Sequence, residues 1–236
     1  MGTRFELVLP AADAAVGEAA LAEIEYWHAR LNRFAADSLV SHLNRFAAAA
    51  PVRIDAATFA LLRVALDVCR ASDGAFDITL GGGADALELD EPRSTVRFQS
   101  AAVRIDLGGI AKGHALEQAA ALLRAHGTTQ ALLHGGTSSV LALGSAPSGD
   151  GWKVALGPEP DAPVVALQDR ALSLSANVAR DHVLDPRARS EVPARTVAVI
   201  GPDACRADAW STALLVLGSR PAGLDVAWQT HFRGAQ

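Results

Sequence analysis

An α+β fold, a mixed β-sheet core with packed helices, is the class the sequence predicts, and three observations predict it. Apolar residues recur at three-to-four spacing in four separate stretches. Short alternating runs divided by turn residues fill most of the chain between positions 130 and 200. The helical stretches stand before, between and after those runs, which is not the one-for-one alternation of a βαβ repeat.

Phe5, Leu7 and Leu9 alternate with polar or smaller residues and stop at Pro10, giving an opening strand with one buried face. A helix over 11–31 follows, with Val16, Leu21, Ile24, Trp27 or His28, and Leu31 on one side and Asp13, Glu18, Glu23 and Glu25 on the others. Residues 32–44 have no clean period and read as a loop with a short helix. Asp55 is placed to cap a helix in which Phe59, Leu62, Leu66 and Cys69 share a face, with Gly74 just beyond its end. Residues 81–83 and 88–94 are rich in glycine and charge and read as a loop between Thr79 and a strand ending at Ile105. The glycine-rich run after it opens a helix ending near His126, with Gly127 positioned to close it. Strands are expected at 130–134, 139–143, 152–156, 164–167, 171–175 and 196–200. A last helix runs over 203–217 to Gly218, and the tail from Gly223 offers one more strand. Neither an internal repeat nor a long Pro/Gly/Ser linker divides the chain, so one domain over 1–236 is expected.

Half of the 236 residues are apolar and 20% are charged, which supplies a core and excludes a disordered chain. About a fifth are alanine and only 5% aromatic, so the helices should be slim and closely packed. The net charge of −5 and the scatter of 21 basic residues exclude a basic stripe for nucleic acid or a membrane surface. Cys69 and Cys205 have no partner at metal or redox spacing and read as buried thiols. The longest stretch free of charged side chains, 125–149, carries His126, Gln130 and His134, so stable membrane insertion is not expected. Arg4 and Glu6 sit where a secretion signal would need its basic and apolar regions, which points to a cytoplasmic chain, or to a periplasmic one if the sequence is a trimmed mature form.

Four groups of residues could carry chemistry. The glycines at 108, 109 and 113 lie where a helix begins, so unpaired backbone N–H groups at the positive end of its dipole would suit a phosphate; the same glycines equally permit close helix–strand packing. Lys112 stands inside that run. The chain has 19 arginines and two lysines, so a lysine here reads as a chosen compact ammonium, with an exposed helix-start charge as the plain alternative. Asp208 and Thr212, four apart on the last helix, present a carboxylate and a hydroxyl on one face, as oxygen ligands for a hard cation or as a solvated pair. His182, next to Asp181 and just before the turn at Pro186, is a candidate general base, though a lone histidine is more commonly structural. The small residues Gly74 and Ala75 could admit a flat ring while Asp77 hydrogen-bonds it, or the Asp/Thr pair could simply cap a turn.

In order along the chain, six segments resemble the ApbE family of flavin transferases. They are Met1-Gly-Thr3, Ser38-Leu-Val-Ser-His-Leu-Asn44, Ser72-Asp-Gly-Ala-Phe-Asp-Ile-Thr79, Ile105-Asp-Leu-Gly-Gly-Ile-Ala-Lys-Gly113, His182-Val-Leu-Asp-Pro186 and Ala207-Asp-Ala-Trp-Ser-Thr212. The resemblance implies a single α+β domain that binds FAD and Mg²⁺ and moves the FMN moiety to a Thr or Ser hydroxyl of an acceptor flavoprotein, releasing AMP. It implies Met1, Phe34, Ala75, Phe76, Asp77, Gly108, His114 and Leu184 as flavin-nucleotide neighbours, with Lys112 beside the phosphates. Ala111 through its carbonyl, Asp208 and Thr212, with Ser211 nearby, would hold the metal, and His182 would be the base. The chain departs from the family pattern at Leu39, at Gly135-Gly-Thr137, and in the short connections after Thr79 and Asn177. Two alternatives stand beside transfer to a protein: a Mg²⁺-dependent FAD pyrophosphatase yielding FMN and AMP, and a non-catalytic FAD-binding protein.

Overall fold

The computed structural model describes residues 3–157, 159–177 and 183–234. Its elements run β1 (Phe5–Val8), α1 (Ala14–Leu31), α2 (Leu39–Phe46), β2 (Val52–Arg53), α3 (Ala56–Ala71), β3 (Leu87–Asp90), β4 (Thr95–Phe98), α4 (Ala111–Ala125) and β5 (Ala131–Gly135). They continue with β6 (Ser139–Leu143), β7 (Trp152–Ala155), β8 (Val164–Leu167), β9 (Ala171–Asn177), β10 (Arg195–Gly201), α5 (Ala204–Leu217) and β11 (Gln229–Gly234). Six strands form the main sheet in the order β1-β5-β6-β9-β10-β11. The α+β class is the one expected, and each pairing in that sheet is antiparallel among the described residues.

The period-two alternation of the strands sorts their side chains into two cores. Ala131, Leu133, Leu141, Leu143, Val197 and Val199 face the helices. Their neighbours Leu132, Val140, Ala142, Ala198 and Ile200 face the opposite side, where the hairpin β7–β8 covers them with Trp152, Val154 and Leu167. Trp152 donates its indole N–H to the Leu143 carbonyl (3.2 Å), so this lid is fixed by a polar contact as well as an apolar one. No described helix is long and apolar enough to cross a membrane.

Helix ends follow their local chemistry. Ser38, Asp55 and Asp203 each accept a hydrogen bond from the backbone N–H three residues on, and Gly218 closes α5 at φ +73°. Residues 11–13 form a single 3₁₀ turn ahead of α1, so that helix begins later than its apolar period suggests. Cys69 and Cys205 are both buried and unpaired, and burial pushes the Cys69 thiol up to about 11.

Two expectations are corrected. Residues 87–98, read largely as loop, contain the hairpin β3–β4, whose alternating Leu87 and Leu89 are disguised by the acidic Glu88 and Asp90. Residues 103–105, read as the end of a strand, pair with no strand. Instead the Asn44 side chain takes the place of one: its Nδ2 donates to the Ile105 carbonyl (3.0 Å) and its Oδ1 accepts from the Ile105 N–H (2.7 Å). An amide side chain has the donor and acceptor of a peptide group, which is why it can substitute for a strand neighbour.

Helix α5 lies across β9 and β10, and α4 packs between α1 and α5. The α4–α5 crossing is tightest at Gly113, where a Cβ would overlap the Ala204 carbonyl oxygen and stand 2.9 Å from Asp208 Cβ. Glu117, one turn further, accepts the Ala204 N–H at 2.6 Å and joins the same two helices; burial pushes its carboxyl pKa upward. Because the obstacle at Gly113 is backbone, Gly113→Ala should cost about 1–3 kcal/mol of stability. Urea unfolding of the variant checks this, and an unchanged midpoint would mean that the helices part freely.

Candidate active site

The site is assembled from loops and helix ends at the α4–α5 crossing. Asp208 is 2% exposed, and its Oδ2 accepts the Gly113 N–H at 3.0 Å. Its Oδ1 accepts the Ser173 hydroxyl at 3.1 Å and faces Lys112 Nζ at 3.4 Å. Ser211 donates to the Asp208 carbonyl (2.9 Å) and lies 3.0 and 2.8 Å from the hydroxyls of Ser173 and Ser175. Thr212 donates to the same carbonyl at 3.3 Å and leaves its lone pairs for other partners. A Cβ on Gly109 would stand 3.1 Å from Thr212 Oγ1 and 3.2 Å from the Phe76 ring, so the glycine brings the 107–110 turn up against both.

The other family segments converge on that turn. Asp106 donates its N–H to the Ile78 carbonyl (2.8 Å), accepts from Gly108 N–H at 2.9 Å through Oδ1, and pairs with Arg33 through Oδ2 at 3.2 Å. This places Gly108 exposed at the surface and Phe34 close by. Phe34 is 82% exposed, with the Arg33 guanidinium 4.6 Å from its ring centroid. Ala75 and Phe76 are buried in the core. Residues 183–192 lie over the start of this region: Arg187 clamps Asp185 in two parallel bonds (2.9 and 2.7 Å) and its stem approaches Gly74, while the Pro186 carbonyl approaches Gly81. The guanidinium holds the Asp185 carboxyl below its ordinary range. Leu184, 50% exposed, forms an isolated bridge with Glu191. Met1 and His182 lie outside the described residues.

Two side chains do something other than what was expected of them. The Asp77 carboxylate does not face an open site: Oδ1 accepts from Thr79 N–H (2.8 Å) and Thr79 Oγ1 (2.6 Å), and Oδ2 from Gly81 and Gly83 N–H (both 2.9 Å). It organises the 79–83 turn. His114 also turns away. One residue along a helix is a rotation of about 100°, so while Lys112 and Gly113 address α5, His114 addresses α1. Its imidazole meets the Trp27 ring edge-on at a centroid distance of 4.5 Å and is 4% exposed, which leaves no face for a ligand.

Ser173 and Ser175 belong to the site although neither was singled out for it. The signal was present as serines at alternate positions of the otherwise apolar run Ala171-Leu-Ser-Leu-Ser175, which put two hydroxyls on the helix-facing side of β9.

Among the described residues no cluster of three or more His, Cys, Asp or Glu could hold a metal ion. The oxygen set at the crossing is therefore lean: the Asp208 carboxylate and the Thr212 hydroxyl, whose lone pairs are left for other partners. That set fits a hard ion that completes its shell with phosphate oxygens and water, as Mg²⁺ does.

The fold is that of a flavin transferase family. The ApbE family profile matches residues 1–231, and the chain belongs to that family. The FAD:protein FMN transferase of Chlamydia trachomatis is 27% identical over 82% of this chain and 73% of its own, and that of Treponema pallidum is 29% identical over 77% and 66%. In fold, the ApbE protein of Thermotoga maritima superposes with a TM-score of 0.82 at 23% identity over 92% of this chain and 84% of its own. The apo flavinyl transferase ApbE of Pseudomonas stutzeri gives 0.79 at 24% identity over 92% and 83%.

His114 gives this region a pH response. Burial lowers its pKa from 6.5 to about 4, partly opposed by the Asp55 charge, and its Nε2 has no hydrogen-bond partner among the described residues. A base whose folded pKa is depressed favours the folded state when neutral. The stability it allows is thus complete above pH 6.5 and is lost as the pH falls toward 4, by about 3 kcal/mol in all. His114→Phe keeps an edge contact with Trp27 and removes the titration. Urea unfolding between pH 7.5 and 4 should show a shallower loss of stability in the variant than in the wild type, and parallel curves would refute the assignment.

Proposed function

We propose that this chain is an FAD:protein FMN transferase, moving the FMN moiety of FAD to a Thr or Ser hydroxyl of an acceptor flavoprotein and releasing AMP. The single observation that carries the reading is that the glycine turn at the start of α4 meets Asp208 and Thr212, nearly a hundred positions away, which supports a diphosphate-and-cation seat there. The names of the relatives support the same activity.

In this reading the diphosphate of FAD lies on the glycine turn at the positive end of the α4 dipole, where the Gly108 and Gly113 N–H groups are already given to Asp106 and Asp208, and Lys112 adds a point charge beside it. Asp208 and Thr212, with the Ala111 carbonyl that the family resemblance implies, would hold Mg²⁺, which would offset charge on the diphosphate. Ser173 and the Gly113 N–H fix the Asp208 carboxylate, and Ser211 holds the Ser173 hydroxyl, so the carboxylate is oriented before any ligand arrives. Ala75 and Phe76 offer the flavin a packed floor. His182 takes the proton from the acceptor hydroxyl as its oxygen bonds to the FMN phosphorus. The bond from that phosphorus to the bridging oxygen breaks, and AMP leaves with that oxygen. Positioning and electrostatics supply most of the rate, because the phosphoryl centre needs no covalent help from the protein.

The test is to incubate the protein with FAD, Mg²⁺ and a purified flavin-acceptor domain, following acceptor mass by intact mass spectrometry and AMP in the same tube. One added FMN per acceptor with matching AMP is expected. AMP without an adduct would favour FAD hydrolysis, and neither product with FAD retained would favour a binding protein. His182→Ala should retain FAD and lower transfer by about 100- to 10,000-fold, the range of a lost general base. Asp208→Ala should abolish the dependence of the rate on Mg²⁺, and an unaltered Mg²⁺ titration would remove Asp208 from the metal site.

A further inference from the structure

Asp208 has three donors, and they differ in whether they can leave. The Gly113 N–H is backbone, locked where the two helices touch too closely for a methyl group. The Ser173 hydroxyl is on a central strand and fully buried. Lys112 is different: its side chain is 19% exposed, its flexible four-carbon stem starts on the first turn of α4, and its ammonium stands 3.4 Å from Oδ1. A divalent cation at Asp208 and Thr212 would sit within a few ångströms of that ammonium, and two cations in a site with little water repel strongly. An anion on the turn at 108–111, immediately before Lys112 in the chain, gives the ammonium somewhere to go.

We propose that Lys112 makes loading of the divalent cation and of the diphosphate interdependent: its ammonium neutralises Asp208 in the free protein and is handed to the diphosphate when the cation takes the carboxylate. This rests on the reading of the α4 start and Asp208/Thr212 as the diphosphate and cation seat. The free protein then binds the cation weakly, because the cation must displace a paired charge. FAD raises cation affinity by removing the ammonium, and by linkage the cation raises FAD affinity by the same factor. A lysine suits this handover. The planar guanidinium of arginine would hold the carboxylate through two bonds and release it less readily, in a chain that otherwise uses arginine 19 times and lysine twice.

The experiment measures Mn²⁺ binding to the FAD-free protein by electron paramagnetic resonance, and FAD binding by flavin fluorescence with and without Mg²⁺. Lys112→Met should bind Mn²⁺ about five- to a hundredfold more tightly than the wild type, the span of ordinary coupling between sites. Its FAD affinity should fall, and the gain that Mg²⁺ gives to FAD binding should shrink. Lys112→Gln should repeat this, so the result does not hang on one variant's folding, whereas Lys112→Arg, which keeps the charge, should bind Mn²⁺ no better than the wild type. A lysine that merely supports the helix would not raise metal affinity when lost. Equal or weaker Mn²⁺ binding by both neutral variants overturns the handover. Asp208→Asn should abolish Mn²⁺ binding, and if it does not, the seat itself is misplaced and the proposal falls with it.

Discussion

The approach of α4 to α5 at Gly113 is the contact on which the rest of the structure depends. It lets a backbone N–H reach a buried carboxylate, and through that bond it fixes where the first turn of one helix stands relative to the polar face of the other. Any side chain at that position would separate the helices, and with them the glycine turn from Thr212. The same contact explains how α5 can carry Asp208 and Ser211 in the interior. Their polar atoms are satisfied by α4, by β9 and by their own helix, so burying them leaves little unpaired.

Around this crossing the chain separates support from chemistry. The hairpin β7–β8 seals one face of the main sheet with apolar side chains, and the helices cover the other. Four of the family segments come from distant parts of the sequence, and each is anchored by a short polar link: Asn44 on Ile105, Asp106 on Ile78 and Arg33, Asp77 on its own turn, Asp185 on Arg187. None of those links is worth more than a few kcal/mol, but each removes a freedom that a substrate would otherwise have to remove by binding.

Polar residues in the family segments thus divide into those that brace a loop and those that meet at the α4–α5 crossing. Asp77 and Asn44 brace; Asp208, Thr212 and Lys112 meet. His114 does neither, because its side of α4 packs against Trp27 in α1. A buried neutral imidazole makes the helix that carries the site sensitive to acid, an unusual cost at a position where an aromatic hydrocarbon would pack without it.

The sequence alone determined the elements whose signals are local. Asp55, Asp203 and Gly218 mark helix ends by capping chemistry, and the strands β6 and β8 occupy the expected residues because apolar runs bounded by turn residues have little other choice. The order of the six family segments also carried the class of the protein. What the tertiary structure decided was direction and partnership: that Gly113 looks at Asp208, 95 residues away, while His114 looks at α1; that Asn44 pairs with a segment 61 residues on; that the Asp77 carboxylate turns inward; and that two alternate serines of β9 join the polar cluster. Residue spacing fixes which side chains share a face of a helix or strand, but what that face meets depends on how the elements pack, and packing is set by the whole core at once.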